Sequence, residues 1–418
     1  MNGIDISLEP VKVPGILAAK VWINAGSRND PNGQKGVHQL LSSLLSRGCG
    51  PYSNIEVADM VEGCGAGLRC DAYEDGLLVS LKCSDSDANR LLSLVGWMIA
   101  NPHLDSNQVK LERELSVLAL QRQKENPFQL CFDGWRQLAY ANSPYGHDPL
   151  GTIEDVETLS RKKLIPIAEN MAQEKKFLAI AGTFSSDLIK QIKDMEAFNQ
   201  LARQKGDSTP LLRTEHKSLV TRKRSTTCFL QAESTSQVVI MLGQPTIPHS
   251  HKDDLALRLL ACHLGSGMSS ILFTELREKH GVAYDVGAHH PIREGAAPFV
   301  IHVSTSQEKA LRTLSLLRTI WENLKTKPLS TEELELTKSK FCGQIAHGSQ
   351  TIGQRAERRV QLRWLNLGDD FDNESIRKIE SITSQDLQLV ANKHLTAPLL
   401  SLCGPEETIQ KLSISWQG

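Results

Sequence analysis

In the first half of this chain, chemistry would have to be done by one histidine on a helix and the two positions sharing its face. Residues Gly36 to Gly48, GVHQLLSSLLSRG, read as a short apolar helix bounded by glycines. Residues three and four apart on a helix are neighbours, so His38, Leu41 and Ser42 form one constellation. Filled as H-x-x-E-H, such a constellation is an inverted zinc site. Its imidazoles bind the metal, and its glutamate acts as general base on the metal-bound water. Here only the first histidine is present. Leu41 cannot accept a proton, Ser42 replaces the second imidazole, and one imidazole does not hold a catalytic zinc. A lone histidine on an apolar helix is more often a packed or capping residue than a former ligand.

The second half carries a longer signal. Leu264 to Tyr284 reads LGSGMSSILFTELREKHGVAY. This closely resembles a recurrent segment of the M16 metallopeptidase family, which includes the mitochondrial processing peptidase, the respiratory core proteins and bacterial relatives. In that segment a glycine-rich turn leads into a helix ending in an Arg-Glu-Lys-like run, followed by G-[LV]-A-Y opening a strand. Gly36 to Gly48, Pro144-Tyr145-Gly146 with Gly151-Thr152, and Leu178 to Gly182 fit the same family. Together the resemblance spans nearly the whole chain.

The resemblance implies a third zinc ligand on a later helix, a glutamate in a pattern like E-R-x-x-V-x-x-E-[IL]. Here Glu112-Arg113 begins that pattern and the ligand position falls on Ala119. A slip by one residue would give Leu118 or Leu120, and neither binds metal. Glu112 remains, at the place of a carboxylate behind the metal in active relatives. The expectation is therefore no intact catalytic set and no metal in this chain. The resemblance also assigns Arg277 and Tyr284 to substrate: in relatives an arginine and a tyrosine at this spacing project toward the other half-shell's zinc and contact the peptide backbone and developing oxyanion. Their chemistry suits that task, a charged fork and a single directed phenol donor. Gly265, Gly267 and Met268 are expected either to line the peptide chamber or to form a plain turn with Ser269 as helix cap.

Composition bounds the alternatives. The 418 residues suffice for two or more domains. Hydrophobic content of 40% and charged content of 23% are ordinary for a globular protein, and a net charge of −1 gives no signal for nucleic acid or anionic membrane. Arg222-Lys223-Arg224 reads as solvated linker. Nine cysteines lie scattered without a C-x-x-C pair, and Cys64 and Cys70 alone are a weak zinc signal. That usage fits a reducing compartment, the N-terminus lacks a signal-peptide pattern, and no apolar run approaches the ~20 residues of a membrane span. The expectation is a soluble, cytoplasmic protein, unless a targeting segment has been trimmed. Histidines occur at 249, 251, 289, 290 and 302. Strand alternation puts His289 and His290 on opposite faces, which argues against a three-histidine site with His302.

The elements that must position these residues occur twice. Leu159 to Gly182 and Ile382 to Gly404 each read as a helix capped by Ser160 or Thr383, then a short buried strand closed by glycine. Long helices open at Leu104-Asp105-Ser106 and Leu329-Ser330-Thr331. Each is followed by another, Pro127 to Ala141 and Ile352 to Leu365. Ile16 to Ala25 and Gln237 to Leu242 read as buried strands. This predicts a duplicated α+β domain, residues 1–205 and 225–418 joined by a linker at 206–224. Each domain is a mainly antiparallel sheet with helices on one face.

The function expected from this set is a non-catalytic subunit of a heteromeric M16-type zinc metalloendopeptidase. It would pair with a catalytic subunit that holds zinc in an intact H-x-x-E-H, and help clamp an extended peptide by adding it to a sheet edge. The alternative is a scaffold homologue like the respiratory core proteins, without a role in proteolysis. An independent metal enzyme built around His38 lacks ligands.

Overall fold

The computed structural model describes residues 4–141, 143–203 and 227–417. The expected linker at 206–224 and the Arg222-Lys223-Arg224 cluster lie outside them. Ten strands are β1 (Ile4–Pro10), β2 (Ile16–Ile23), β3 (Gly67–Ala72), β4 (Leu77–Ser84), β5 (Lys176–Gly182), β6 (Cys228–Ala232), β7 (Gln237–Pro245), β8 (Asp285–His289), β9 (Pro298–Ser306) and β10 (Leu399–Gly404). They form two five-stranded sheets, ordered β1-β5-β2-β4-β3 and β6-β10-β7-β9-β8. In each, the first pair is parallel and the other three are antiparallel. The order and sense of the second sheet repeat the first strand for strand, as a duplicated α+β domain requires.

Local sequence accounts for the elements. β5, KFLAIAG, and β10, LLSLCG, are buried along their whole length. A strand covered on both faces needs a near-continuous apolar run rather than alternation. The long helices run Ser106–Gln123 and Thr331–His347, and Asp105 accepts from the amides of Asn107 and Gln108 at the first start. Thr383 forms a capping box with Asp386. Ser160 occupies the equivalent cap position without a side-chain bond.

The described residues make two compact units. The first comprises 4–122, 147–203 and 347–369; the second holds the remainder. In the first, Leu17, Ala19, Val21 and Ile23 of β2 face a helical layer containing Val37, Leu40, Leu91 and Ile167. The other face of β2 is covered as well. Trp22 stacks on Trp364 with centroids 4.8 Å apart, and Lys20 pairs with Glu357 at 2.9 Å. Both partners lie on the Ile352–Trp364 helix. In the second unit, Val238, Ile240 and Leu242 of β7 face the main helical layer. Val239 and Met241 face Cys131, Trp135 and Ala139 of the Pro127–Tyr140 helix, where Trp135 Nε1 donates to Gly243 O at 3.1 Å.

Two helices therefore depart from the contiguous halves expected at 1–205 and 225–418. Pro127–Tyr140, from the first half, belongs to the second sheet, and Ile352–Trp364, from the second half, belongs to the first. The sequence shows that each helix has an apolar face. It does not show which of two equivalent sheets that face will meet.

Candidate functional site

In the first unit, the Val37–Leu44 helix begins at Gly36, whose φ is 91°. A Cβ there would lie 2.5 Å from Leu150 O, and one at Gly151 would lie 2.2 Å from Lys35 O. The glycines at 36 and 151 thus let two backbone segments touch. Asp30 organises the helix start: its carboxylate accepts from Gly36 N at 2.6 Å, from His38 Nδ1 at 2.6 Å and from His147 Nε2 at 3.0 Å. Burial alone would raise the pKa of Asp30, but the bonds from His147, His38 and Gly36 outweigh it and hold the carboxyl below its usual range.

His38 is thereby a buried helix-capping partner of Asp30, with one ring nitrogen committed. Leu41 and Ser42 are fully buried, and Ser42 Oγ donates to Gln39 O. The constellation expected at His38, Leu41 and Ser42 points into the core. The partly accessible side of the helix carries Gln39 and Ser43 and continues to Arg47. Gln39 Oε1 accepts from Ala72 N at the end of β3 (3.3 Å), and Arg47 Nε donates to the buried Glu112 at 2.7 Å. Ala119 lies two turns beyond Glu112 and is exposed, as are Leu111, Leu115 and Leu118 on the same helix.

This surface does not fit a zinc ion. Gln39, Ser43 and Ala119 offer an amide, a hydroxyl and a methyl group, and Arg47 lays a positive charge on the carboxylate of Glu112. Zinc asks for thiolate, imidazole or free carboxylate ligands.

In the second unit, the corresponding helix is Asp254–Gly265. Asp254 repeats the theme of Asp30: a buried acid within 2.9 Å of His249, 3.4 Å of His290 and 2.8 Å of Arg258 Nε. Burial opposes its ionisation, and the two histidines and Arg258 more than offset it, so this carboxyl also sits well below the usual range. Arg258, Cys262, Gly265, Gly267 and Phe341 line a cavity of about 400 Å³. A Cβ at Gly265 would come 2.4 Å from Ala288 N, so glycine lets the helix end abut β8, while Gly267 has a φ of 74°. Met268 is 75% exposed.

The segment Phe273–Lys279, expected as an ordinary helix, is π-helical, a winding frequent at functional sites. Arg277 is exposed, its guanidinium 5.0 Å from the Phe273 ring centre. Val282 N bonds to Leu276 O, and Tyr284 N to Ser304 O, so the connecting loop is closed on itself and tied to β9. Tyr284 is 59% exposed.

His289, His290 and His302 do not converge. His289 meets Phe132 edge-on, His290 turns toward Asp254, and His302 lies 3.3 Å from Asp285. The tertiary structure instead gathers His251, Asp253 and His394. Asp30, Arg47 and His394 were not singled out in the sequence. Arg47 follows Gln39 and Ser43 at helical spacing and was findable by that signal. Asp30 precedes the helix, and His394 is remote in the chain; neither carries a local pattern. Among the described residues no helix is long and apolar enough to cross a membrane.

Two family descriptions match this chain: insulinase (peptidase family M16) over residues 16–152 and peptidase M16 inactive domain over residues 169–341. It is 24% identical over 359 residues to the uncharacterized zinc protease YmxG of Bacillus subtilis, covering 85% of each chain. It is 21% identical to an uncharacterized zinc protease of Rickettsia bellii, covering 97% of this chain and 96% of that one. Among solved structures it superposes on a peptidase M16 inactive domain from Pseudomonas fluorescens with a TM-score of 0.82 at 21% identity, covering 96% and 95% of the chains. On a protease from Helicobacter pylori the TM-score is 0.84 at 18% identity, covering 97% of both.

Proposed function

We propose a function from one premise: the chain belongs to the M16 peptidase family. It acts as the non-catalytic subunit of a heteromeric M16-type zinc metalloendopeptidase. The partner subunit brings zinc and the general base in an intact H-x-x-E-H; this chain brings Arg277 and Tyr284. The observation that carries the reading is the contrast between two surfaces. His38, Leu41 and Ser42 are buried, and the accessible side of the same helix, which leads to Arg47 and Glu112, carries Gln39 and Ser43 and retains no ligand. Ala119 supplies none, and Arg47 occupies the charge of Glu112. By contrast, Arg277 and Tyr284 both keep exposed donor groups, on a π-helix and a tied loop that support them.

In that role the Arg277 guanidinium and the Tyr284 hydroxyl donate to an extended peptide and to negative charge developing on its scissile carbonyl. Gly267 and the exposed Met268 are the further contacts expected for a chain laid along a sheet edge. The test begins with affinity purification from the native cell and mass spectrometry. A near-stoichiometric protein bearing H-x-x-E-H is expected. In the reconstituted pair, Arg277→Ala should lower kcat/KM by roughly 10²–10³-fold, the usual cost of losing one oxyanion donor, while the pair still assembles. Unchanged activity would overturn the role of Arg277. Recovery only in an assembly lacking such a protein would favour a scaffold instead.

A further inference from the structure

The loop before the Asp254–Gly265 helix and the last turn of the Ser384–His394 helix bring together side chains that the proposed peptidase role does not use. One ligand atom each from His251, Asp253 and His394 lies within 4.8 Å of the other two, and all three residues are part-buried. His394 Nε2 is 2.8 Å from Asp253 Oδ2, and His251 Nδ1 is 3.9 Å from the same oxygen. A tetrahedral zinc with nitrogen and oxygen ligands at its usual bond lengths spaces those atoms roughly 3.4 Å apart. The two observed separations bracket that value, so small side-chain rotations close the site.

We propose that His251, Asp253 and His394 form a binding site for a zinc-type dication in the second unit. Two imidazoles and a carboxylate are a ligand set that zinc accepts, with a fourth position left to water. The backbone under each ligand is already fixed. His251 N bonds to Pro248 O and Asp254 N to His251 O, both at 3.0 Å. Gln244, from β7, clamps the end of the other helix: its Nε2 donates to His394 O at 2.6 Å, and its Oε1 accepts from Ala397 N at 2.7 Å. Asp253 N donates to His251 Nδ1 at 3.0 Å, so in the neutral ring that nitrogen carries the lone pair, and a metal bound there takes the place of this amide bond.

A lysine ammonium also meets this carboxylate. Lys393 Nζ lies 2.7 Å from Asp253 Oδ2, on a side chain that is 56% exposed. Exposed ion pairs of this kind are weak, and a flexible stem lets the ammonium leave when a dication takes its partner. Lysine and metal thus compete for one oxygen, which gives the proposal a signature that a purely structural cluster would not show.

The full chain, stripped with chelator, is titrated with Zn²⁺ by calorimetry and with Co²⁺ by visible absorption. One equivalent of each metal is expected, with Co²⁺ giving the band pattern of mixed nitrogen and oxygen ligation. His251→Ala and His394→Ala should each weaken binding at least tenfold, Lys393→Ala should strengthen it severalfold, and His38→Ala should leave it unchanged. Thermal melting without metal shows that each variant is folded, and Lys393→Ala carries the test if a histidine variant is not. No uptake by the wild-type chain overturns the site, as does uptake that survives in the His251→Ala/His394→Ala double variant or disappears in His38→Ala.

Discussion

The Asp30 carboxylate is fully covered, with an imidazole on either side and two backbone amides donating to it. Its charge therefore belongs to the folded state. A carboxyl whose folded pKa is depressed contributes stability that is present above its unfolded pKa of about 3.9 and is lost as pH falls toward the folded value. Asp254 acts in the same direction. Acidification below about pH 4 should accordingly lower Tm steeply. Asp30→Asn should lower Tm at pH 7 and flatten the acid limb, because the group that must be protonated is gone. An acid limb as steep as that of the wild type would rule out Asp30 as a contributor. At this scale the sequence was legible in type and partly illegible in register. That a lone histidine on an apolar helix packs or caps was the ordinary expectation for His38, and its bond to Asp30 is of that kind. The side of the helix that meets Glu112 could not be read, since Leu40, Leu41, Leu44 and Leu45 are all buried and leave apolar periodicity little to discriminate.

The helices and strands were the most legible level, because each follows from its own residues. The twin buried strands, the long helices and the Thr383 cap all rest on local patterns that tertiary structure had no reason to override. The π-helical winding of Phe273–Lys279 was not legible, since its residues would also suit an α-helix. Glycines at element ends can be tested directly. Gly265→Ala places a methyl group against the Ala288 backbone, which cannot yield as a flexible side chain would, and should destabilise by about 1–3 kcal/mol in urea denaturation. Gly343, inside the Thr331–His347 helix, has open space where its Cβ would be. Gly343→Ala should stabilise by about 0.5–1 kcal/mol from helix propensity alone. Equal effects at the two sites would refute the packing account of Gly265.

Over the whole molecule, the exchanged helices set the cooperativity. Residues 1–205 expressed alone would leave Ala18 and Trp22 without the Ile352–Trp364 helix. Residues 225–418 alone would leave Val239 and Met241 without Cys131 and Trp135. Neither piece is expected to melt cooperatively by near-ultraviolet circular dichroism, and mixing the two should restore a native-like transition. Independent cooperative melting of each piece would show that the exchanged helices are dispensable. Repetition in the sequence revealed the duplication, but not this exchange, because both copies of the helix suit both copies of the sheet.

The exchange also bears on ancestry. Two identical half-length chains that traded one helix each would form a domain-swapped dimer, and joining them end to end would leave the connectivity seen here. After such a fusion neither copy could be discarded, because each holds a piece of the other's interior. Each half is then kept for mechanical reasons, whatever chemistry it does, and its surface positions are free to change without releasing the fold.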